Sequence, residues 1–186
     1  MAQSLNFKKL RTIENDNQFY LLNNTRKQDE VSRFELVSGS GEVAFIDSNL
    51  SVDSASGRGS WGFTGEGRWL VDKVLPVNTT LGVGGHISYR ANVAGGIISV
   101  GVECFNAEMI SLGDNGGFLL EESSLTTAWQ FKEGYVRLVS PTDIANFKPN
   151  TRFVRFFIDI NTNPGLIRLD NINLLPMNFA SIALYS

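Results

Sequence analysis

The residues best suited to chemistry in this chain are aromatic. Trp61, Trp69 and Trp129, with Tyr89 and Tyr135, could each offer a flat apolar face to a sugar ring, provided amide and carboxylate groups stand beside them. Trp61 is the sharpest candidate, because residues 48–67 are rich in Gly and Ser and a large apolar side chain has little reason to be there. Core packing is the competing role for every one of these tryptophans, above all for Trp129, which begins a strand.

Groups for covalent or acid–base chemistry are sparse. His86 is the single histidine, so a Ser–His–acid triad would have to use it, and no nucleophile-elbow pattern accompanies it. Glu121-Glu122 are neighbours on a strand, where consecutive side chains point to opposite faces, so they do not flank one glycosidic bond. Asp72, Glu103 and Asp159 stand singly on strands and read as solvent-face charges. Gly82-Val83-Gly84-Gly85-His86 is glycine-rich but precedes no helix, unlike a phosphate-binding loop. Cys104 is the only cysteine, which excludes an internal disulfide, and its alternating apolar surroundings mark it as a small buried hydrophobe. These residues lead us to expect a protein without enzymatic activity.

The elements that must position these groups are strands. Val154, Phe156, Ile158 and Ile160 alternate with Arg155, Phe157 and Asp159, the two-residue period of a half-buried strand. Asn161-Thr162-Asn163-Pro164-Gly165 has turn chemistry, and residues 166–174 resume as a strand, so a closing hairpin is expected. Ile87, Tyr89, Ala91 and Val93 alternate, as do Ile98, Val100, Val102 and Cys104. Further strands are expected at residues 33–37, 42–46, 68–74, 118–120 and 129–139, with a loop over 78–85 and one helical turn over 140–147. Eight or more short strands without a long helix predict an antiparallel β-sandwich.

Composition agrees. At 186 residues the chain is long enough for one domain with a real core, and its 18 Gly, 17 Asn and 13 Phe favour strands and turns. A net charge of −3 with 19% charged residues is unlike a nucleic-acid binder. No run approaches the ~18 apolar residues of a membrane helix, and the N-terminus has no signal-peptide pattern.

Residues 1–30 read as an arm preceding a domain over 31–186. Lys8, Lys9 and Arg11 give residues 1–12 a charge of +3 without an acid, and the remainder therefore carries −6. Leu5, Phe7 and Leu10, then Phe19, Tyr20, Leu21 and Leu22, form two apolar anchors. Two readings stay open: a disordered tail with one edge strand, or an arm that orders on a partner.

Over residues 34–176 the pattern resembles the β-jelly-roll carbohydrate-binding modules related to families 4, 9 and 22, of the galactose-binding-like superfamily. Phe34-Glu35 fills the family's early Phe-Glu. Residues 85–91, 97–105 and Trp129-Gln130-Phe131 resemble successive family strands, and residues 151–175, with Asp170-Asn171-Ile172, resemble the closing block most closely. The resemblance implies an antiparallel jelly-roll β-sandwich. It also implies a structural calcium ion, for which Glu35 and Asp170 are the matching ligands. No other cofactor is implied.

The same jelly roll occurs in virion proteins of tailed bacteriophages. Together with the basic arm, this leads us to expect a capsid decoration or cement protein, made in host cytoplasm and carried in the virion. It would bind the major capsid protein and copies of itself through Leu5, Phe7, Leu10 and residues 19–22, with Lys8, Lys9 and Arg11 meeting acidic groups. The alternative is a carbohydrate-binding module or tail-associated adhesin that recognises a glycan through Trp61, Trp69 and Trp129.

Overall fold

The computed structural model describes residues 34–57, 59–77, 81–115, 120–122, 124–136 and 147–178. The expected arm, the helical turn up to residue 146 and the apolar tail from residue 179 lie outside them. Eleven strands are described: β1 (Phe34–Gly39), β2 (Glu42–Ile46), β3 (Ser60–Thr64), β4 (Gly67–Pro76), β5 (Leu81–Ala91), β6 (Ile97–Phe105), β7 (Ser111–Asp114), β8 (Leu120–Glu122), β9 (Gln130–Val136), β10 (Phe153–Thr162) and β11 (Leu166–Asn178). They form two antiparallel sheets, and no helix occurs among the described residues. Sheet A runs β1-β4-β10-β6-β7 with β8 also on β6, and sheet B runs β2-β3-β11-β5-β9. This is the expected jelly-roll β-sandwich.

Strict alternation builds the core. Val154, Phe156, Ile158 and Ile160 of β10 and Ile98, Val100, Val102 and Cys104 of β6 all face sheet B and are buried. Burial also pushes the Cys104 thiol above its ordinary range, which suits a packing group and not a nucleophile. Sheet B answers with Phe63, Ile87, Tyr89, Ala91, Ile167 and Leu169. At one end an aromatic cluster closes the sandwich: Phe63 meets Trp69 edge-on at 5.1 Å and Phe34 at 5.6 Å, and Trp61 packs on Phe45 at 5.7 Å.

Residues 153–178 correct one expectation. β10 and β11 are strands, as the alternation requires, but they do not pair with each other. β10 is hydrogen-bonded between β4 and β6, and β11 between β3 and β5. The Asn-Pro-Gly segment is therefore an arch between sheets and not a hairpin turn. Asn163 holds it: its amide donates to the carbonyls of Phe63 and Gly65, both at 3.0 Å, and its Oδ1 accepts from Gly165 N at 3.0 Å. Each strand gains two ladder partners by separating, where a terminal hairpin would leave an edge.

The segment expected as a loop over 78–85 contains strand, and so does the Ser/Gly-rich segment, for which no strand was expected. Residues 81–85 belong to β5, because their glycine-rich backbone pairs with the far end of β11 (Gly84 with Leu175, Gly85 with Leu174) and with β9. The Ser/Gly-rich segment holds β3, whose Trp61 and Phe63 alternate inward.

Candidate functional site

The two outer faces differ in how they are closed. On sheet A, Arg68 lies over the Phe157 ring at 4.2 Å and ion-pairs with Asp114 (2.9 Å), Glu103 (3.1 Å) and Asp159 (3.2 Å). Glu103 and Asp159 were expected as separate solvent-face charges, and Asp114 carried no expectation. Cross-strand register brings them together, because Asp159 faces Arg68 on β4 and Glu103 faces Asp114 on β7. Burial pulls the Arg68 guanidinium down, but Glu103, Asp114 and Asp159 outweigh it and hold the pKa above its ordinary value. The side chain is only 17% exposed, so this knot covers Phe157 and leaves little for a ligand to reach.

On sheet B the outward residues follow from the ladders. Arg168 stands beside Arg90, Asp170 beside Ser88, Ser88 beside Phe131, and His86 beside Glu133. After Asp170 the register shifts, and Asn171 takes φ 50°, so Ile172 returns to the core.

Part of this face lies under the β2–β3 connection, here called the strap (residues 47–57). A turn closes it where Asp53 N and Ser54 N both donate to Leu50 O. It is held along its length. Trp129 Nε1 donates to Ser51 O at 2.7 Å, Arg90 Nη1 to Val52 O at 2.8 Å, and Arg168 Nη2 pairs with Asp53 Oδ1 at 2.8 Å. Asp170 accepts from Ser56 N at 2.8 Å and lies 3.0 Å from Ser54 Oγ and 3.2 Å from Ser56 Oγ. Burial lowers the Arg90 pKa, the neighbouring Arg168 lowers it further, and Asp53 opposes both.

Beyond the strap the face is open. Phe131, on β9, which ends sheet B among the described residues, is 57% exposed and lies 5.5 Å from the His86 ring at an interplanar angle of 35°. Ser88 and Asn171 are joined through Asn171 Nδ2 to Ser88 Oγ at 3.2 Å. Burial holds the His86 imidazole below its ordinary value, against a partial upward pull from Glu133. The patch thus sets one exposed aromatic ring beside an imidazole, a carboxylate and an amide, the amide being held by the buried Ser88 hydroxyl. Half-buried Trp129 stands at its border, immediately before β9.

The expected aromatic platform needs correction. Trp61 and Trp69 are each 1% exposed and Tyr89 is buried, so all three are core residues that offer no surface to a ligand. The Ser/Gly-rich context misleads at Trp61, because within it β3 turns Trp61 and Phe63 into the core, where Trp61 packs on Phe34 and Phe45, while the small residues supply the strap and the turns around that strand. Trp129 is the one expected tryptophan that reaches this face. The Tyr135 side chain lies outside the description, as do Leu5, Phe7, Lys8, Lys9, Leu10, Arg11, Phe19, Tyr20, Leu21 and Leu22. Phe131 went unselected; its signal was its place in Trp129-Gln130-Phe131, where alternation puts it on the same side as Trp129.

The calcium ligands do not come together. Glu35 is on β1 of sheet A, where its Oε2 accepts from Arg155 Nη2 at 2.8 Å, and Asp170 is on β11 of sheet B. Asp170 is fully buried, and both carboxylate oxygens receive backbone N–H donors: Ser56 N on Oδ2 and Asn171 N on Oδ1 at 2.7 Å. Backbone donors repel a cation, so these two residues do not fit a calcium site.

Neither a protein-family model nor a curated protein matches the sequence. Solved structures match its fold. The enzymatically active domain of bacteriophage CBA120 tailspike protein 4 aligns at a TM-score of 0.59 and 9% identity, over 86% of this chain and 22% of that chain. The CBM22-1 xylan-binding domain from Paenibacillus barcinonensis Xyn10C aligns at 0.55 and 14% identity, over 84% and 94%. TmCBM61, solved in complex with β-1,4-galactotriose, aligns at 0.52 and 17% identity, over 85% and 99%. The chain thus spans about a fifth of the tailspike chain (22%) but nearly all of the two modules. It has the two-sheet jelly-roll fold of the CBM22 and CBM61 carbohydrate-binding modules.

Proposed function

We propose that this protein is a non-catalytic glycan-binding module, and that the open patch on sheet B is its binding surface. The observation that carries this reading is Phe131: a large aromatic ring held out of the core on β9, flanked by half-buried His86 and Asn171 and by exposed Glu133. A sugar ring needs that pairing of apolar face and convergent polar groups. The similarity to a xylan-binding domain and to a module solved with a galactotriose supports it. The proposal includes the expectation of a protein without enzymatic activity; Glu103, Asp114 and Asp159 are engaged by Arg68.

The tailspike similarity favours placing such a module on a phage tail, as an adhesin. The capsid-cement reading rests on the arm and on the use of this jelly roll in virion proteins, and the carbohydrate-binding neighbours favour the glycan reading over it. A glycan array followed by affinity electrophoresis on the retained polysaccharides tests the proposal. Binding that Phe131→Ala weakens, with the fold intact, supports it. Absence of binding to any glycan, or binding indifferent to Phe131, His86 and Trp129, sinks it. In the latter case deletion of residues 1–22, scored by capsid occupancy, tests the arm.

A further inference from the structure

We infer that Asp170 is the centre of a metal-free staple, in which hydrogen bonds from the strap do the work that the sequence resemblance assigns to a structural calcium ion. A calcium ligand must turn its lone pairs toward the ion, and calcium gathers six to eight oxygens. At Asp170 the lone pairs are spent otherwise. Oδ2 accepts from Ser56 N (2.8 Å) and Oδ1 from Asn171 N (2.7 Å). A hydroxyl can rotate to offer its own lone pair to a cation, whereas a backbone N–H is fixed by the chain. The Ser54 and Ser56 hydroxyls complete the ring of donors. Ser54 Oγ is also 2.9 Å from Gly59 O, so its one hydrogen serves either Asp170 or that carbonyl.

The surroundings agree. Arg168 lies two residues before Asp170 on the same face of β11, and Arg90 pairs with Arg168 across the ladder, so the carboxylates of Asp53 and Asp170 already stand beside two guanidinium groups. Glu35 is held by Arg155 on the other sheet. Among the described residues no three His, Cys, Asp or Glu side chains gather in a way that could hold a metal ion.

The staple also positions a residue at the open patch. Closing residues 54–56 onto Asp170 sets the path of Ser51–Asp53. That segment gives Trp129 Nε1 its acceptor and gives Arg90 and Arg168 theirs. Asp170 is therefore a positioning residue for Trp129, acting through the strap.

Thermal unfolding of the full chain with excess EDTA, and separately with calcium chloride, tests this, with acrylamide quenching of tryptophan fluorescence as a second readout. We expect the Tm to agree within about 1 °C in the two conditions. Asp170→Asn places an amide NH2 against a backbone donor and should lower Tm by roughly 5–10 °C. It should also raise the quenchable fraction, through Trp129, with no rescue by calcium. Ser56→Ala keeps the backbone donor and should lose less, which keeps the test open if Asp170→Asn does not fold. A Tm that EDTA lowers and calcium alone restores overturns the inference. So does a Ser56→Ala protein with unchanged Tm and unchanged quenching.

Discussion

Trp61 and Phe131 should separate stability from binding, and in the opposite sense to that suggested by sequence context. Trp61 is 1% exposed, packs on Phe45 at 5.7 Å and Phe34 at 6.2 Å, and lies on β3 between β2 and β11. Truncating a buried Trp to Ala costs about 3–5 kcal/mol, from lost transfer free energy and the cavity left behind. Against a typical total of about 5–15 kcal/mol, that is a large share. For a domain of this size it lowers Tm by roughly 6–20 °C. Phe131 is already 57% exposed, so Phe131→Ala should move Tm by no more than about 2 °C. Covering one face of that ring with a sugar would contribute about 1–1.5 kcal/mol, around half of what full burial of a Phe contributes. Its loss should weaken glycan affinity roughly tenfold. Scanning calorimetry gives the first quantity and affinity electrophoresis the second. A Trp61→Ala protein that melts like the wild type while losing its ligand would refute the assignment of Trp61 to the core and of Phe131 to the surface.

Three further outcomes follow from the geometry. Arg68→Met removes the cation from among Glu103, Asp114 and Asp159 and should cost about 2–4 kcal/mol near neutral pH, an amount tempered by the partial exposure of two of the acids. Urea unfolding should show that deficit shrinking at acid pH as the uncompensated carboxylates protonate; a constant deficit would contradict it. His86 has a folded pKa depressed below 6.5, so its contribution to stability is present above pH 6.5 and lost as pH falls through the folded value. His86→Gln should therefore flatten the acid limb of the stability curve, and parallel curves for the two proteins would argue against a buried imidazole. Gly59 has φ 98°, and a Cβ there would sit 2.4 Å from the Phe45 ring and 2.7 Å from Ile46 O, so Gly59→Ala should unseat the strap and lower Tm by several degrees.

Much of the fold was legible because alternation is a local signal. Ile98-Val100-Val102-Cys104 and Val154-Phe156-Ile158-Ile160 carry their inward faces in their own spacing, and both strands are where that spacing puts them. What alternation lacks is the identity of the partner strand. Residues 153–178 read as a hairpin because two strands flank a turn, yet only the competing ladders of β4, β6, β3 and β5 determine that the turn is an arch. The site was obscured for the same reason. Phe131 in a strand reads as core until β9 is known to end sheet B among the described residues. Glu103, Asp114 and Asp159 read as unrelated until the register gathers them on Arg68. Asp170 was singled out as a calcium ligand beside Glu35, whereas its hydrogen-bond neighbours Ser54 and Ser56 come from more than a hundred residues upstream.

The contrast between the two outer faces also bears on where a ligand can act. A face closed by side chains that satisfy one another gives a ligand little to replace. On sheet A a ligand would have to break three ion pairs to reach Phe157, and the carboxylates released would remain partly buried and unpaired. On sheet B, toward Arg90 and Arg168, it would have to lift the strap from its ion pair and from the hydrogen bonds at Trp129, Arg90 and Asp170. Among the described residues, the surface at Phe131, His86 and Glu133 asks for no such loss, because the ring and Glu133 are already exposed and His86 is only half-buried. The strap then matters for shape: it sets Trp129 as a fixed border beside Phe131, so a ligand meets a preformed surface and not one it must assemble.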